Sequence, residues 1–332
     1  MASFTIERYA EEMQDEWDAF VNKSSVNGTF LQSRNFLNYH PKGRFEDASL
    51  VFRKGNSLVA VLPAAAIYEG NSKVLYSHGG STFGGLTIDK RILPVEKAIE
   101  IVDLLNEWAQ SNGFGKVILK QTSDFFSEQC MASLEYALQY RGYVPYGELS
   151  FVIDLNRLNE PVESAFTASR RRDCRYGEKA GCEFWELHSV EEIESFYLIL
   201  EKSLKKYDAQ PVHTLDELLE FKNDRLSDAV RFFGVRFDEK MIAGSMVFQF
   251  GKDVFHTQYL AADPDYLDVF PMNYLDWNLI KVAKQEGFPK FSFGISTEDH
   301  GREINVSLAK FKEGFGCDHS MNWTYTKDFS ND

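Results

Sequence analysis

The chain has 332 residues, of which 44% are hydrophobic and 26% charged, and its formal net charge is −14. This length is sufficient for two domains with apolar cores, and the composition excludes an intrinsically disordered protein. The excess of acidic residues excludes a general nucleic-acid-binding protein, because phosphate contacts need clustered Lys and Arg side chains. Any anionic ligand must therefore bind at a local basic surface.

The N-terminal residues and the cysteines indicate a soluble, cytoplasmic protein. The first residues mix polar and apolar side chains, unlike a signal peptide, and no apolar run approaches the ~20 residues of a membrane span. The four cysteines have neither a CxxC pair nor metal-ligand spacing. We therefore expect free thiols in a reducing compartment and no metal site.

The first half of the chain shows a strand and a helix, three apolar runs, and then a second helix and strand. Lys54-Gly55-Asn56 is a turn between the first two runs, which predicts a β-hairpin. The second helix has its apolar residues on one face, at helical spacing. The predicted elements are Phe4–Glu7, Gln14–Asn22, Ser49–Phe52, Leu58–Ile67, Lys73–Ser77, Val95–Ser111 and Val117–Leu119.

The second half shows the same elements in the same order. Its hairpin turns at Asp238-Glu239-Lys240, and a third apolar run again precedes a helix with one apolar face. The predicted elements are Phe184–Leu187, Glu191–Ser203, Arg231–Phe237, Met241–Phe250, Val254–Leu260, Asn273–Gln285 and Phe291–Phe293.

Matching glycines at the helix ends indicate that the two halves are copies of one unit. Gly113 ends a helix before the first half's strand, and Gly287 ends its counterpart; a further helix ends at Gly142 in one half and at Gly314 in the other. Glycine is the expected residue just past a helix end. We predict an α/β (α+β) fold that duplicates a mixed β-sheet flanked by helices. Its domains are predicted at 1–155 and 183–332, with a basic connector helix at 156–182.

Two segments contain sequence motifs that are similar to those of a known protein family. The basic segment Ser169–Gly181 is similar to a helix that ends in Lys-Ala-Gly, and Ser307–Gly316 contains a sequence similar to a Phe-Lys-x-x-Phe-Gly motif. With the order of elements, these segments resemble the GNAT acyltransferase fold, specifically the Fem family of aminoacyltransferases and proteins with a BioF2-like acetyltransferase domain. The resemblance covers nearly the whole chain and implies an acyltransferase made of two GNAT-like domains.

The segment Asp268–Asn273 departs from the usual GNAT pattern. CoA-dependent GNAT enzymes usually carry an Arg/Gln-x-x-Gly-x-Gly/Ala turn here, whose backbone N–H groups hold the pyrophosphate. Fem-type enzymes, which take an aminoacyl group from charged tRNA, also lack this turn. The resemblance therefore leaves acetyl-CoA and aminoacyl-tRNA as alternative acyl donors, with no tightly bound cofactor.

Basic residues cluster in the predicted connector helix. Arg171, Arg172 and Arg175 lie close together in the sequence, and Arg171 and Arg175 have the i, i+4 spacing of one helix face. Arginine forms bidentate contacts with phosphate, so we interpret the three arginines as contacts for a phosphate-rich donor or acceptor. The alternative is a solvated helix held by ion pairs.

Lys312 lies between Phe311 and Phe315, two aromatic residues that can fix its ammonium group in a cleft. There the group would neutralise charge that develops on a carbonyl or phosphate. In the Fem family the matching lysine lines the active site and contacts the phosphate region of the acceptor. The resemblance thus implies a catalytic Lys312 beside a substrate-binding Phe311, and the alternative is a surface lysine.

Gly79, Gly80, Gly84 and Gly85 form a glycine-rich loop that follows a strand and precedes a helix. Glycine permits positive φ and lets a ligand approach the backbone closely. The loop lacks the spacing of a dinucleotide-binding motif, although it resembles a glycine-rich loop of the Fem-like first half. We predict substrate contact here, with a plain crossover as the alternative.

Three further residues are candidates for proton transfer. Glu298 and His300 follow the strand that ends at Ile295, and loops after strands of open α/β sheets often carry chemistry. Either side chain can act as a general base for an attacking amine. Tyr259 lies on the strand that runs beside the acyl donor in GNAT folds, where a tyrosine can protonate a leaving thiolate. The alternatives are an exposed polar loop and a core tyrosine.

Together these residues favour an acyltransferase that moves an aminoacyl or acetyl group onto an amine. The expected acceptor is a cell-envelope precursor or a nucleotide-linked amino sugar, and charged tRNA is one of the two donors considered. Because no Gly-x-Ser-x-Gly or Cys/His nucleophile motif is present, we expect direct transfer in a ternary complex. The alternatives are a CoA-dependent N-acetyltransferase of a small amine and a non-catalytic GNAT-like binding protein.

Overall fold

The computed structural model describes residues 3–205 and 208–329. The helices are α1 Gln14–Lys23, α2 Arg34–Leu37, α3 Val95–Ser111, α4 Ala132–Tyr140, α5 Ala168–Ala180, α6 Val190–Lys205, α7 Leu215–Glu220, α8 Pro271–Gln285 and α9 Val306–Glu313. The strands are β1 Phe4–Arg8, β2 Glu46–Asp47, β3 Leu50–Lys54, β4 Ser57–Leu62, β5 Ala64–Glu69, β6 Ser72–Ser77, β7 Thr87–Ile88, β8 Lys116–Lys120, β9 Val144–Asp154, β10 Glu183–Leu187, β11 Val230–Phe237, β12 Lys240–Phe250, β13 Val254–Ala262, β14 Lys290–Ile295, β15 Thr297–Glu298, β16 Glu303–Ile304 and β17 Asp318–Asp328. In the described ranges, no helix has the length and apolar character needed to cross a bilayer.

The predicted α/β fold and its duplication are confirmed. The first half runs β1, α1, α2, β3 to β6, α3, β8, α4 and β9, and the second runs β10, α6, α7, β11 to β13, α8, β14, α9 and β17. Helix α3 buries Ala98, Ile101 and Leu105 completely, as does α8 with Leu275 and Leu279. These positions are the apolar face that the helical spacing predicted.

Pro63 divides a strand that we predicted as one run over Leu58–Ile67. The structure ends β4 at Leu62 and begins β5 at Ala64. Proline has no N–H group for a ladder hydrogen bond, and it therefore interrupts a strand. As a result, the first half forms one sheet in the order β1-β3-β4-β7 and places β5 with β6 and β8 in another. The equivalent strand of the second half, β12, lacks proline and stays continuous.

The last strand of each half pairs with a strand of the other half. β9 is antiparallel to β14, with Ile153 opposite Phe291, and β17 is antiparallel to β8, with Tyr325 opposite Leu119. The compact units are accordingly residues up to Glu148 together with those from Met321 onward, and Leu149–Ser320. These units, called the first and second unit below, differ from the predicted domains 1–155 and 183–332, because each sheet includes a strand from the distant half.

Helix α5, which we predicted as a separate connector at 156–182, lies inside the second unit. Thr167 caps its N-terminus by accepting from the N–H of Arg170, and Gly181 ends it in the left-handed conformation at φ 92°. Gly177 lets α5 approach α8 closely, since a Cβ there would lie 3.0 Å from the Tyr274 Cβ atom. The basic helix is therefore part of the second unit and packs against its helix α8, rather than forming a separate connector between domains.

Helices α6 and α8 cover opposite faces of the second unit's sheet, whose strands follow the order β10-β11-β12-β13-β14-β9. Phe232 contacts Phe196 of α6, and its neighbour Phe233 belongs to the apolar core that includes Leu275 of α8. Successive side chains of a strand point to opposite faces. The α8 face carries the cluster of polar residues described below.

The strand exchange predicts that the first unit depends on β17. Tyr325 is 1% exposed and packs in the core of the first unit. Replacing it with Ala removes a buried aromatic ring, so we expect Tyr325→Ala to lower the free energy of unfolding by about 3 kcal/mol. Tyr68→Ala is the control, because Tyr68 is 65% exposed. In Tyr325→Ala, the backbone amides of β8 should lose their protection from hydrogen exchange. If the amides of β14 lost protection while those of β8 kept it, the assignment of β17 to the first unit would be contradicted.

Candidate functional site

Lys312 is a buried cation at the end of a strand in the second unit. It lies on α9 with 4% of its surface exposed, and its Nζ atom donates to the carbonyl oxygens of Gly294 at 3.2 Å and Ile295 at 2.6 Å. These two oxygens replace part of the water that burial removes. Burial nevertheless lowers the pKa of Lys312 to about 8, and the Asp276 carboxyl group acts in the opposite direction.

The carbonyls that hold Lys312 lie where β14 has separated from β13. The two parallel strands pair only from Val254 to His256 and from Lys290 to Ser292. Gln258 is an extra residue in the β12–β13 ladder, which bends β13 beyond this point. Gly294 has φ 70°, a conformation that favours glycine, and this turns the end of β14. The site is thus built at the carboxyl ends of two diverging strands.

Phe311 and Phe315 hold an arginine rather than Lys312. The Cζ atom of Arg170 lies 4.2 Å from the Phe311 ring centroid and 4.8 Å from that of Phe315, and its Nη2 donates to the Phe311 carbonyl at 2.8 Å. Gly314 provides the space, because a Cβ there would lie 2.8 Å from Arg170 Nε. Sequence reasoning missed this role of Arg170, since an arginine inside a basic run gives no sign of its aromatic partners.

Asp276 is the second residue that sequence reasoning missed. Its side chain is 0% exposed on α8, and neither carboxyl oxygen has a hydrogen-bond partner in the described part of the chain. Burial raises the pKa of Asp276 to about 8, against the effects of Arg170 and Lys312. A signal was present in the sequence: Asp276 lies four residues before the buried Ile280, on the apolar face of the helix.

The three arginines predicted to bind phosphate have different surroundings. Arg171 donates to the carbonyl of Phe166 at 2.5 Å and so holds the turn that precedes α5. Arg172 is 75% exposed and pairs with Asp173. Arg175 and, one turn later, Lys179 are exposed, and neither forms an ion pair with any described residue. The exposed basic surface therefore consists of Arg172, Arg175 and Lys179. Arg171 is not part of it, because its guanidinium group is bonded to a backbone carbonyl oxygen.

Tyr259 forms a hydrogen bond with a histidine rather than pointing freely into the site. Its hydroxyl group lies 2.6 Å from Nδ1 of His213, which is buried just before α7. Burial is the main reason that the pKa of Tyr259 rises to about 12. At neutral pH the hydroxyl therefore keeps its proton and is suited to donating a hydrogen bond.

Glu298 and His300 lie on an exposed hairpin. Strands β15 and β16 pair antiparallel, with Glu298 opposite Glu303, and His300 has φ 56° in the turn between them. Both side chains are exposed, whereas Lys312 is buried. The structure therefore places the two candidate bases in solvent and does not join them to the polar cluster around Lys312.

The glycine-rich loop lies in the first unit, where three of its glycines are needed for close packing. A Cβ at Gly80 would lie 2.2 Å from Nε2 of His40, and one at Gly84 would lie 2.8 Å from the Ser77 carbonyl carbon. Gly85 would similarly meet Gln121. Gly79 is exposed, and a Cβ there would lie 3.0 Å from the Tyr76 ring and 3.9 Å from the Phe45 ring. Packing within the unit thus accounts for these small residues.

Two arginines of α5 allow a matched test of whether the contacts of Arg170 stabilise the second unit. Arg170→Ala removes the cation between two aromatic rings and the bond to the Phe311 carbonyl, so we expect a loss of about 2 kcal/mol in unfolding free energy. Arg172→Ala, on the exposed side of the same helix, should change it by less than about 0.5 kcal/mol. Urea denaturation measures both; equal effects would show that the Arg170 contacts are not stabilising.

Comparisons with known proteins agree with this architecture. Residues 165–302 match the family model described as an acetyltransferase (GNAT) domain, which supports acyl transfer as the reaction class. No curated protein sequence matches the chain. The crystal structure of FemX is similar over 98% of each chain, with a TM-score of 0.71 and 12% sequence identity.

Two further structures are similar over almost their whole lengths. The C-terminal domain of a putative lysylphosphatidylglycerol synthetase from Agrobacterium fabrum has 13% identity and a TM-score of 0.62, covering 96% of this chain and 92% of that one. A tandem GNAT protein from the clavulanic acid biosynthesis pathway has 10% identity and a TM-score of 0.56, covering 98% and 99%. The resemblance predicted from the sequence is confirmed: the chain has the fold of FemX and of the tandem GNAT protein, and its residues 165–302 match the GNAT acetyltransferase domain.

Proposed function

We propose that the protein is an acyltransferase that moves an aminoacyl or acetyl group onto an amine of a cell-envelope precursor or nucleotide-linked amino sugar. The observation that carries this proposal is the buried ammonium group of Lys312 at the end of β14. A lysine ammonium has three N–H donors, and two of them bond to Gly294 and Ile295. The third remains for a substrate oxygen.

In this reaction the amine nitrogen attacks the acyl carbonyl carbon, the carbonyl oxygen becomes negative, and the donor's thiol or hydroxyl group leaves. Lys312 stabilises the oxyanion or a neighbouring phosphate, and it does so more strongly in a site from which water is excluded. Tyr259 donates a proton or hydrogen bond to the leaving group. Glu298 or His300 on the exposed β15–β16 hairpin accepts the proton that the amine loses. Because neither side chain joins the polar cluster around Lys312, the proton reaches the hairpin through solvent.

Transfer proceeds directly from donor to acceptor in this proposal. Cys174 and Cys317 are held as neutral thiols because burial raises the pKa of both. A thiol is a poor nucleophile compared with a thiolate. A covalent acyl-cysteine intermediate at either residue is therefore disfavoured, and positioning of the two substrates accounts for most of the catalysis.

The start of α8 favours aminoacyl-tRNA over acetyl-CoA as the donor. Helix N-termini bind pyrophosphate through free backbone N–H groups. Here Pro271 occupies the first helical position and has no N–H group, and Asp268 adds a negative charge just before it. The exposed surface of Arg172, Arg175 and Lys179 offers compensating positive charge for a phosphate-rich partner in a chain of net charge −14.

Replacing Lys312 tests the proposed chemistry. We expect Lys312→Met to lower the rate of acyl transfer by about 10²- to 10³-fold, because it removes the cation that faces the developing charge. Lys310→Met is the control, since Lys310 is exposed on the same helix. Transfer of a radiolabelled acyl group to the acceptor amine gives the rate, and circular dichroism checks the fold. Unchanged transfer by a folded Lys312→Met protein would contradict the assignment.

Titration with acetyl-CoA distinguishes the two donors. We expect no saturable heat at two temperatures, because the pyrophosphate turn is missing, and transfer instead from aminoacyl-tRNA. Saturable binding at micromolar affinity would instead establish the CoA-dependent N-acetyltransferase. Binding of an acceptor without turnover of either donor would leave a non-catalytic GNAT-like binding protein and overturn the proposed function.

A further inference from the structure

The first unit contains a cavity that the proposed reaction does not use. Its volume is about 530 Å³, which lies within the range of small-molecule sites. The lining comes from the residue after β1, from α2 and the segment that follows it, from β2, and from the residue after β6; it includes Tyr9, Arg34, His40, Phe45, Asp47 and His78. All of these residues belong to the first unit, whereas Lys312 belongs to the second.

Arg34 is the buried cation of this cavity. Its side chain is 2% exposed, and its Nη1 atom donates to Oδ2 of Asp47 at 2.6 Å. The Nε and Nη2 atoms have no hydrogen-bond partner among the described residues. A guanidinium group has five N–H donors, and buried donors that stay unpaired cost free energy. The ion pair with Asp47 thus uses one edge of the guanidinium group and leaves the other edge unsatisfied.

Arg141, in the same unit, shows what the free edge of Arg34 is suited to bind. Arg141 donates from Nε at 2.5 Å and from Nη2 at 2.7 Å to the two carboxylate oxygens of Asp103, and its Cζ atom lies 4.9 Å from the Tyr140 ring centroid. Two parallel N–H bonds of this kind match a carboxylate or a phosphate group. Arg34 has the same pair of donors, and no carboxylate in the described part of the chain accepts from them.

Three rings form an aromatic wall of the cavity. The rings of His40 and His78 are stacked with centroids 5.4 Å apart, and the Phe45 ring centroid lies 4.8 Å from each of them. Gly80 of the glycine-rich loop backs this wall, because a Cβ there would lie 2.2 Å from Nε2 of His40. Burial lowers the pKa of His78 to about 4, so its imidazole is uncharged at neutral pH. The aromatic wall therefore suits a ring or an apolar part of a ligand.

We propose that this cavity binds a small organic oxyanion: a carboxylate or phosphate group accepts from Nε and Nη2 of Arg34, and the rest of the molecule packs against the aromatic wall. The lining contains two cations, Arg34 and Lys42, and two carboxylates, Glu11 and Asp47. Recognition therefore depends on the two directed N–H donors rather than on net charge. The site goes beyond the proposed function, because nothing in the transfer reaction requires it.

A ligand reaches the free edge of Arg34 past the Tyr9 ring. The Arg34 Cζ atom lies 3.6 Å from the Tyr9 ring centroid and 4.5 Å from that of Trp17, and both unpaired nitrogen atoms are shielded from solvent. Trp17 is fully buried and donates from Nε1 to the Gln32 carbonyl. Tyr9 is partly exposed, and no described residue bonds to its hydroxyl group. Rotation of the Tyr9 side chain therefore uncovers the guanidinium group without breaking a side-chain hydrogen bond.

NMR detection of arginine Nε–H groups tests the site in the wild-type protein, which is titrated with benzoate, phenyl phosphate and uncharged benzyl alcohol. We expect either anion to move the Arg34 signal saturably toward that of Arg141, which already donates to a carboxylate. Dissociation constants on the order of 1–10 mM are expected for such small probes. A response to benzoate alone identifies a carboxylate ligand, and a response to phenyl phosphate alone identifies a phosphate ligand. No saturable shift with either anion, or an equal shift with benzyl alcohol, would overturn the proposal.

Two variants separate the paired donors from positive charge alone. Arg34→Lys keeps the charge but loses the two parallel N–H groups, so we expect benzoate to bind at least about tenfold more weakly, as measured from the relaxation of its own proton signals. Arg141→Lys is the matched control, because Asp103 already occupies its donors, and it should bind benzoate as the wild type does. Equal weakening in both variants would contradict the assignment. The Arg34 signal is assigned by its absence in Arg34→Lys or, if that variant does not fold, by its nuclear Overhauser effects to the Tyr9 and Trp17 rings.

Discussion

The desolvation of one lysine is the constraint on which the site is built. An ammonium group enters a protein interior only where oxygen atoms replace its water. Here the oxygens are backbone carbonyls, and they are available because β14 has lost its pairing with β13 before Gly294 and Ile295. The separation of the two strands thus supplies the oxygen ligands of the cation, and among the described residues no acidic side chain forms an ion pair with it.

The cost of removing water from a cation also explains the residue types that surround Arg170. Arg170, a second cation in the same apolar core, is accommodated by the faces of two aromatic rings and one carbonyl oxygen. Gly314 leaves the space that its guanidinium needs. The Phe-Lys-x-x-Phe-Gly sequence therefore has a physical meaning: its aromatic rings serve the arginine of α5, and its lysine serves the end of β14.

Most elements were predictable from the sequence because their information is local. The period of apolar residues and the glycines after helices predicted α3 over the residues that the structure has, and α8 to within two residues at its start. Pro63 is likewise a local signal, because proline in the run Leu58–Ile67 marks the break between β4 and β5. Lys312 was identified through a motif rather than by its surroundings.

The remaining features depend on contacts between distant residues. Nothing in the apolar pattern of β9 or β17 indicates which strand it will pair with, so the domain boundaries near residues 155 and 183 did not anticipate the exchange. The roles of Arg170 and Asp276 likewise depend on which helices pack together. The sequence neighbours of Arg170 do not differ from those of a surface arginine, and the position of Asp276 on the apolar face of α8 predicts its burial but not its surroundings. Arginine and aspartate are usually expected at the protein surface, and here both side chains are instead buried or partly buried.

The exchanged strands also bear on how the chain acquires its structure during synthesis. Translation adds about 5–20 residues per second, and domains generally fold as they emerge, the N-terminal one first. The first unit is an exception to that order, because β8 pairs with β17, which is synthesised after all strands of the second unit. During translation, the edge of β8 that pairs with β17 therefore stays unpaired until almost the whole chain has been made. A chaperone can bind this exposed strand edge during that period.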